Sequence, residues 1–389
     1  TRVVFAEDEE QLDKILRREV TLKPTSYHPR LLNLTSDGGP LRALAFVINR
    51  QGTTILVVEQ NARLALERRD RVRAGAPAQL SGAHIGGLGE PLVQPVHAHA
   101  PLGAQSQLVG RSHECDFPKT IRDLPQLTEP KFKVEGTSGE IDERVRAIVT
   151  EGLSVYRVDA EALRALQPDL IVTQDHCEVC AVSIKDVEAA VCGWTGGAAR
   201  IVSLRPDSLP DVYADIVRVA DALGNAKGGE RLCAAMKTRF ATISDAVQGR
   251  RHPRVAFIEW GEPLMSGGNW MPTLIRIAGG TSIFGVEGGR SEVLSWADLG
   301  TADPEVVLIA PCGFTLEQSI AELRQLERHP AWSTLKAVKD GRVYCADGNA
   351  YFNRPGPRLV ESAEIVAEIL HPEACRFGHE GAGWVRQPS

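Results

Sequence analysis

No stretch of about 18 consecutive apolar residues occurs in the 389-residue chain, so no segment has the length and hydropathy of a membrane-spanning helix. The first twenty residues, TRVVFAEDEEQLDKILRREV, are too charged for the apolar centre of a signal peptide. Read as it stands, the chain is expected in the cytoplasm; since it starts at Thr1, a periplasmic or cell-surface place is expected if an upstream leader has been removed. An excess of basic residues is also missing. Lys plus Arg number 44 against 50 Asp plus Glu, a net charge of −6, which leaves no positive field to condense on nucleic acid or anionic lipid. Eight cysteines, at 115, 177, 180, 192, 233, 312, 345 and 375, are too few and too scattered for a disulfide scaffold and are expected as reduced thiols. No GxxxxGK[ST] loop is present, so a triphosphate has no backbone cradle and ATP hydrolysis is excluded as an activity of this chain.

What remains is ordinary globular composition, 43% hydrophobic and 24% charged, long enough for two or three packed cores. Residues 1–105 read differently from the rest. A basic run, ERRDRVR (67–73), precedes a Gly/Pro/His-rich stretch at 82–103 that shows neither helical nor strand period and reads as a linker. From Gln107 the pattern becomes alternating: strand LVG, strand VYRV (155–158), helix DAEALRALQ, strand DLIVTQD (169–175), helix IKDVEAAVCGW and strand RIVSL (200–204). Such alternation predicts a parallel sheet wrapped by helices.

Between Asp211 and Val247 the signal is helical almost throughout, broken at the glycine pair 228–229. Leu232, Met236, Phe240, Ile243 and Val247 follow at helical spacing, so residues 228–248 are expected to form one helix of about 30 Å that braces two lobes. The alternation then restarts with strands RVAFIEW (254–260), EVVLIAP (305–311) and GRVYCA (341–346) and ends in a helix, Pro357–Leu370. LRALQPDLIVTQD (163–175) and LGTADPEVVLIAPC (299–312) share one plan of helix end, Pro, acidic residue, buried strand and polar loop. The expectation is an α/β chain of two similar lobes, 106–224 and 253–389, joined by a connecting helix within 225–252, with ligand-binding loops at the carboxyl ends of the strands.

Those loops, RSHECDFP, QDHCEVC, EWGEPLMSGGNW, PCGF and DGNAYFNRPGPR, gather histidines, thiols, carboxylates and aromatic rings. Cys177 and Cys180 form a C-x-x-C pair suited to a soft metal ion, but no second pair stands at zinc-finger spacing; the thiols read equally as small apolar fillers. Trp, Tyr and Phe on facing loops supply broad, rigid stacking area for a large flat ligand, or plug their own lobes.

On LVGRSHECDFP, IRDLPQLTEPKF, LSVYRVDAEALRALQPDLIVTQDHCEVCAV, IEWGEPLMSGGNWMPTLI, GRVYCADGNAYFNRPGPRLVESAEIVAEILHPE and FGHEGAGWV, residues 107–386 resemble the cobalamin-binding members of the ABC-transporter substrate-binding proteins. That resemblance implies two Rossmann-like lobes bridged by one rigid helix, non-enzymatic binding of a corrinoid in the cleft, and an ABC permease as partner to a monomer without membrane insertion. It implicates His113, Glu114 and Phe117, then Gln174, Asp175 and His176, then Trp260, Glu262, Trp270, Tyr351 and Phe352 as ligand contacts. His113 and His176 become candidates for an axial position on cobalt, since neutral imidazole suits such ions. Transporter docking in these relatives uses one surface carboxylate per lobe; Glu161 holds the first place, and the second holds Ala297 with Asp298 beside it.

The family's opening strand and helix, of the form RIVSLxxSATE, are replaced here by LVQPVHAHAPLGAQS, which should leave a sheet position uncovered. ALAFVIN (around 44–49) or TTILVVE (53–59) could fill that slot. Haem, a ferric siderophore or a metal ion are the alternative cargoes for this fold. Residues 12–50 also resemble the middle of a ChaC-type γ-glutamylcyclotransferase, with Glu19 as the general acid/base of an alternative, enzymatic reading, and residues 53–72 resemble the tail of a branched-chain amino-acid ABC ATPase. Neither stretch carries its family's complete chemistry, so 1–105 is expected to be an atypical mosaic extension.

Overall fold

The computed structural model describes residues 102–150, 155–174 and 199–387, together with the backbone of the strands Arg2–Phe5, Tyr27–Ser36, Gly39–Ile48, Ile55–Val58 and Pro91–Val93. Two compact units are present, Thr1–Ile85 and Gly86–Ser389. In the first, the hairpin of Tyr27–Ser36 and Gly39–Ile48 pairs onward, antiparallel, to Ile55–Val58, which in turn runs parallel to Arg2–Phe5. The two segments that could complete the first lobe therefore pair with each other instead. Glu19 lies outside the described residues.

In the second unit, the first-lobe sheet is parallel throughout, in the order Arg200–Leu204, Leu170–Gln174, Pro91–Val93, Gly110–Arg111. The vacant strand position is thus filled from within the stretch that reads as a linker. Three residues between two neighbours are too short to show a period, and Pro91, as the first residue of the strand, withholds no ladder donor from its centre. Tyr156–Val158 departs from the expected alternation, leaving this sheet to pair antiparallel with Thr128–Pro130 in a separate ribbon. The predicted helix 184–194 lies outside the described residues.

The second-lobe sheet has the order Met265–Ser266, Arg254–Trp260, Val306–Ile309, Val343–Ala346, Trp384–Arg386. Its three central strands are parallel, Met265–Ser266 and Trp384–Arg386 pair antiparallel, and a sixth strand, Thr281–Ser282, pairs parallel with the start of Arg254–Trp260. Val306–Ile309 and Val343–Ala346 are buried at every residue, as central strands covered on both faces must be.

The shared plan of the two lobes extends to the backbone. Ala160–Leu166 and Trp296–Ala302 are both seven-residue helices, capped by Asp159 and Ser295, and both end on a non-glycine residue in the left-handed region, Gln167 (φ 43°) and Asp303 (φ 40°). A proline follows each, then the buried strand. Proline cannot continue a helix, and the left-handed residue before it turns the chain back into the sheet.

The connecting helix is Ala226–Ala246, with Cys233, Met236, Phe240 and Ile243 buried and Val247 just beyond it. Its break from the preceding helix, Leu209–Ala222, lies at Gly224 (φ 70°) and the capping residue Asn225, four residues before the expected glycine pair. The pair has another use. A Cβ on Gly229 would stand 2.6 Å from that of Ala220, so the glycine lets the two helices cross closely.

Every residue of the helix Leu359–Leu370 except Glu361 is buried. Its Glu364 accepts from Arg239 at 2.7 Å and faces His379 Nε2 at 2.9 Å. Glu368 accepts from the Trp384 indole N–H at 2.8 Å and from the backbone N–H groups of Phe377, Gly378 and His379. A tail held at so many points delivers Trp384–Arg386 to the sheet edge.

Candidate ligand cleft

The loops after Gly110–Arg111, Arg254–Trp260, Val306–Ile309 and Val343–Ala346 sit at the carboxyl ends of parallel strands, where open α/β sheets leave a crevice. Across it the lobes meet at two places. At one, the loop holding Glu114, Asp116 and Phe117 meets the segment from Asn349 to Arg358. The Arg354 guanidinium, its side chain only 7% exposed, binds the Asp116 carboxylate at 2.5 Å and lies 3.5 Å from Glu114, while Asn349 donates to Asp116 at 3.1 Å. Beside this pair, the Arg358 guanidinium lies 4.3 Å from the centroids of both Phe117 and Tyr351, one ring from each lobe. A cation over an aromatic face is attracted by the ring quadrupole.

At the other place, the helix Ser138–Thr150 of the first lobe points its first turn at Glu322 of the second. Thr137 and Glu140 cap that helix reciprocally. The N–H end of a helix favours an anion, and buried Ser138 donates from its backbone N–H at 3.3 Å and from its hydroxyl to the Glu322 carboxylate. Glu262 N–H donates to the Ser138 hydroxyl at 2.8 Å. A cavity of about 210 Å³ opens here, lined among others by Thr137, Phe314 and Glu322. Trp260, half-buried at the end of its strand, packs edge-on against Phe314 with centroids 5.4 Å apart.

His113 is seated in the first-lobe ribbon. Its Nδ1 is 2.7 Å from the Thr128 hydroxyl, its ring tilts over Tyr156 at 5.1 Å, and its Nε2 lies 3.5 Å from Glu114. Burial, the largest influence, lowers its pKa against the opposing pull of Glu114, so the imidazole is neutral at pH 7. Nε2 makes no hydrogen bond with the described residues.

The sequence-predicted residues therefore divide. Glu114, Phe117, Trp260, Glu262 and Tyr351 stand at the meeting faces of the lobes, and His113 is one carboxylate behind them. Gln174 ends its strand at the carboxyl edge of the first-lobe sheet. Asp175, His176, Cys177 and Cys180 lie outside the described residues. Phe352 and Trp270 belong elsewhere. Phe352 is fully buried against Phe257, and Trp270 is 4% exposed, its indole N–H donating to the Phe352 carbonyl at 2.9 Å. Both are spent on the second-lobe core, the alternative open to any single loop aromatic. Among the described residues no three His, Cys, Asp or Glu side chains converge as a metal centre requires. Sequence reading missed Asp116, Ser138, Phe314, Glu322, Arg354 and Arg358. Opposite charges on the SHECDF and NRPGPR loops were the available signal for the arginine pair; Glu322, in the middle of the helix Leu316–Leu326, gave none.

Two parallel-sheet lobes on one helix, with their strand-end loops facing across a crevice, define a bilobal α/β binding protein. The family described as periplasmic binding protein matches residues 98–350, and the chain belongs to it. That match leaves the cyclotransferase-like and ATPase-like stretches outside it. YvrC of Bacillus subtilis strain 168, an uncharacterised ABC transporter substrate-binding lipoprotein, is 23% identical over 235 residues, 58% of this chain and 69% of its own. A periplasmic heme binding protein from Pseudomonas aeruginosa superposes with a TM-score of 0.58 at 18% identity, over 77% of this chain and 98% of its own. The periplasmic vitamin B12 binding protein BtuF of Vibrio cholerae does so at 0.51 and 17%, over 72% and 95%. The periplasmic heme-binding protein RhuT of Roseiflexus sp. RS-1, in apo form, gives 0.55 and 21%, over 74% and 100%. These likenesses establish the two-lobed fold.

Proposed function

We propose that this chain is the substrate-binding component of an ABC importer and that its cargo is a corrinoid, cobalamin in the first instance, held without chemical change between the lobes. One observation carries the reading: Phe117 of the first lobe and Tyr351 of the second converge on a single point, the Arg358 guanidinium. Flat faces from opposite lobes suit a broad conjugated macrocycle, with Trp260 and Phe314 extending the apolar wall. The 210 Å³ cavity beside Phe314 and Glu322, which neither Phe117 nor Tyr351 lines, is below the roughly 300–1,000 Å³ of small-molecule sites, so a corrinoid requires the lobes to separate.

Titration with cyanocobalamin and aquocobalamin, followed by calorimetric heat and the corrin absorption bands, tests this. Saturation near one equivalent is expected. A band shift confined to the exchangeable aquo form would identify a histidine ligand, His113 or His176. Haem is the second reading, favoured by the neutral imidazole of His113, whose Nε2 makes no hydrogen bond with the described residues and lies 3.5 Å from Glu114; saturable hemin binding without corrinoid binding selects it.

The importer role needs a permease. Glu161 and Asp298, both exposed on the first turns of the matching seven-residue helices, are the proposed docking carboxylates. Asp298 is partly engaged, since Ser295 donates to it from backbone and hydroxyl and these bonds lower its pKa.

A further inference from the structure

The two meeting places across the cleft carry opposite charge, and in each the buried member belongs to the second lobe. Arg354 is buried, and both carboxylates on it, Asp116 and Glu114, come from the first lobe; its own lobe supplies the Asn349 side-chain oxygen. Glu322, 3% exposed, receives its described hydrogen bonds from Ser138 of the first lobe. Asp116 and Glu114 are themselves 31% and 43% exposed, so they return to water readily when the lobes part. In the joined state Arg354 and Glu322 are the more enclosed members of their pairs. Separation strips Arg354 of Asp116 and Glu114 and Glu322 of its described donors, which leaves a guanidinium and a carboxylate on the cleft wall of the second lobe open to new charge-assisted hydrogen bonds.

We infer that Arg354 and Glu322 are the specificity-determining residues of the cleft, and that the ligand is bipolar: an anionic group replaces Asp116 on Arg354, and N–H donors replace Ser138 on Glu322. The first-lobe groups occupy these positions when ligand is absent and compete with it. This rests on the corrinoid reading and narrows it. A complete corrinoid offers both features, a phosphodiester for Arg354 and peripheral primary amides for Glu322. A porphyrin dicarboxylate offers acceptors for Arg354 and no peripheral donor for Glu322. Loss of a needed donor leaves a buried acceptor unpaired, which is how polar sites discriminate strongly.

Three probes separate the two ends: cyanocobalamin; dicyanocobinamide, which lacks the phosphodiester; and cobyrinic acid, in which carboxylates stand in place of the amides. The full chain is titrated with each, as wild type, Asp116→Asn and Glu322→Gln, with thermal unfolding run alongside. Asp116→Asn removes the nearer of the two carboxylates on Arg354, leaving Glu114 at 3.5 Å, and is expected to tighten cyanocobalamin severalfold and by more than it tightens dicyanocobinamide. A gain of affinity cannot arise from misfolding. The wild type is expected to prefer dicyanocobinamide over cobyrinic acid by at least tenfold, and Glu322→Gln to bring the two within about threefold. Unchanged cyanocobalamin affinity in Asp116→Asn overturns the role of Arg354, and an unchanged amide-over-acid ratio in Glu322→Gln overturns that of Glu322, while corrinoid binding itself stands. No binding of any probe by the wild type overturns the corrinoid reading and this one with it.

Discussion

The Arg354 guanidinium of the second lobe and the Asp116 carboxylate of the first form an ion pair of 2.5 Å across the cleft. Neither residue could be paired with the other from sequence, since 238 positions separate them. The pair fixes the relative placement of two loops that also hold Phe117 and Tyr351, so charge and stacking surface are set by the same contact.

Trp260 tests the aromatic wall. Its ring is half-buried and packs edge-on against cavity-lining Phe314. Trp260→Ala is expected to weaken corrinoid binding by about 1–3 kcal/mol, as loss of an aromatic anchor does. Calorimetric titration measures it, and an unchanged dissociation constant removes Trp260 from the site.

Phe352 and Tyr351 are chain neighbours with opposite expectations. Phe352 is fully enclosed, so Phe352→Ala is expected to cost about 3–5 kcal/mol of folding stability through the cavity it leaves. Tyr351→Ala, at the Arg358 contact, is expected to act chiefly on ligand affinity. Urea unfolding and ligand titration of both variants separate the two effects; a stability loss in Tyr351→Ala matching that of Phe352→Ala would place Tyr351 in the core as well.

His379 makes tail docking pH-dependent. Its hydrogen bond to Glu364 raises its pKa above the ordinary histidine value, against the smaller opposing effect of burial. A raised folded-state pKa means the native protein holds the proton more tightly than the unfolded chain. The stabilisation is therefore complete below about pH 6.5 and is lost as pH rises through the elevated value. Glu364 adds nothing to this window: burial raises its pKa, but the bonds from His379 and Arg239 outweigh that and leave it lowered, so its contribution is lost only in acid. Urea midpoints of wild type and His379→Gln between pH 6 and 9 are expected to converge as pH rises. A constant difference would show that His379 acts by packing alone.

The lobes, their strands and the connecting helix were legible because each rests on local pattern. RVAFIEW and EVVLIAP are apolar runs between turn signals, and Met236, Phe240 and Ile243 recur at helical spacing. Pro91–Val93 was not legible, since a three-residue strand is defined by the neighbours it pairs with. Trp384–Arg386 depends likewise on Glu368, which gathers the tail through backbone N–H groups and the Trp384 indole N–H, a convergence with no sequence signature. In the cleft, residue type pointed to the aromatic loops but not to which ring faces inward: Tyr351 and Phe352 are one residue apart, and the π-turn Gly348–Phe352 sends one to Arg358 and the other to the core. Charge partners across the cleft depend on how the lobes meet, which no local pattern encodes.

The matching helix ends provide a test of the internal repeat. Gln167 and Asp303 adopt the same left-handed backbone, which costs a residue with a Cβ roughly 1–2 kcal/mol and glycine little, although glycine loses about 0.5–1 kcal/mol more entropy on folding. Gln167→Gly is therefore expected to stabilise the protein by up to about 1 kcal/mol. Asp303 has a second duty, because its carboxylate accepts the Lys336 backbone N–H at 2.9 Å and so starts the short helix Lys336–Lys339. A cap of that kind contributes about 1 kcal/mol, which Asp303→Gly forfeits. The same substitution at two backbone-equivalent positions is thus expected to raise the urea midpoint at 167 and to leave it unchanged or lower it at 303. Equal shifts at both positions would mean that backbone strain alone governs these turns and that the Asp303 cap contributes nothing measurable.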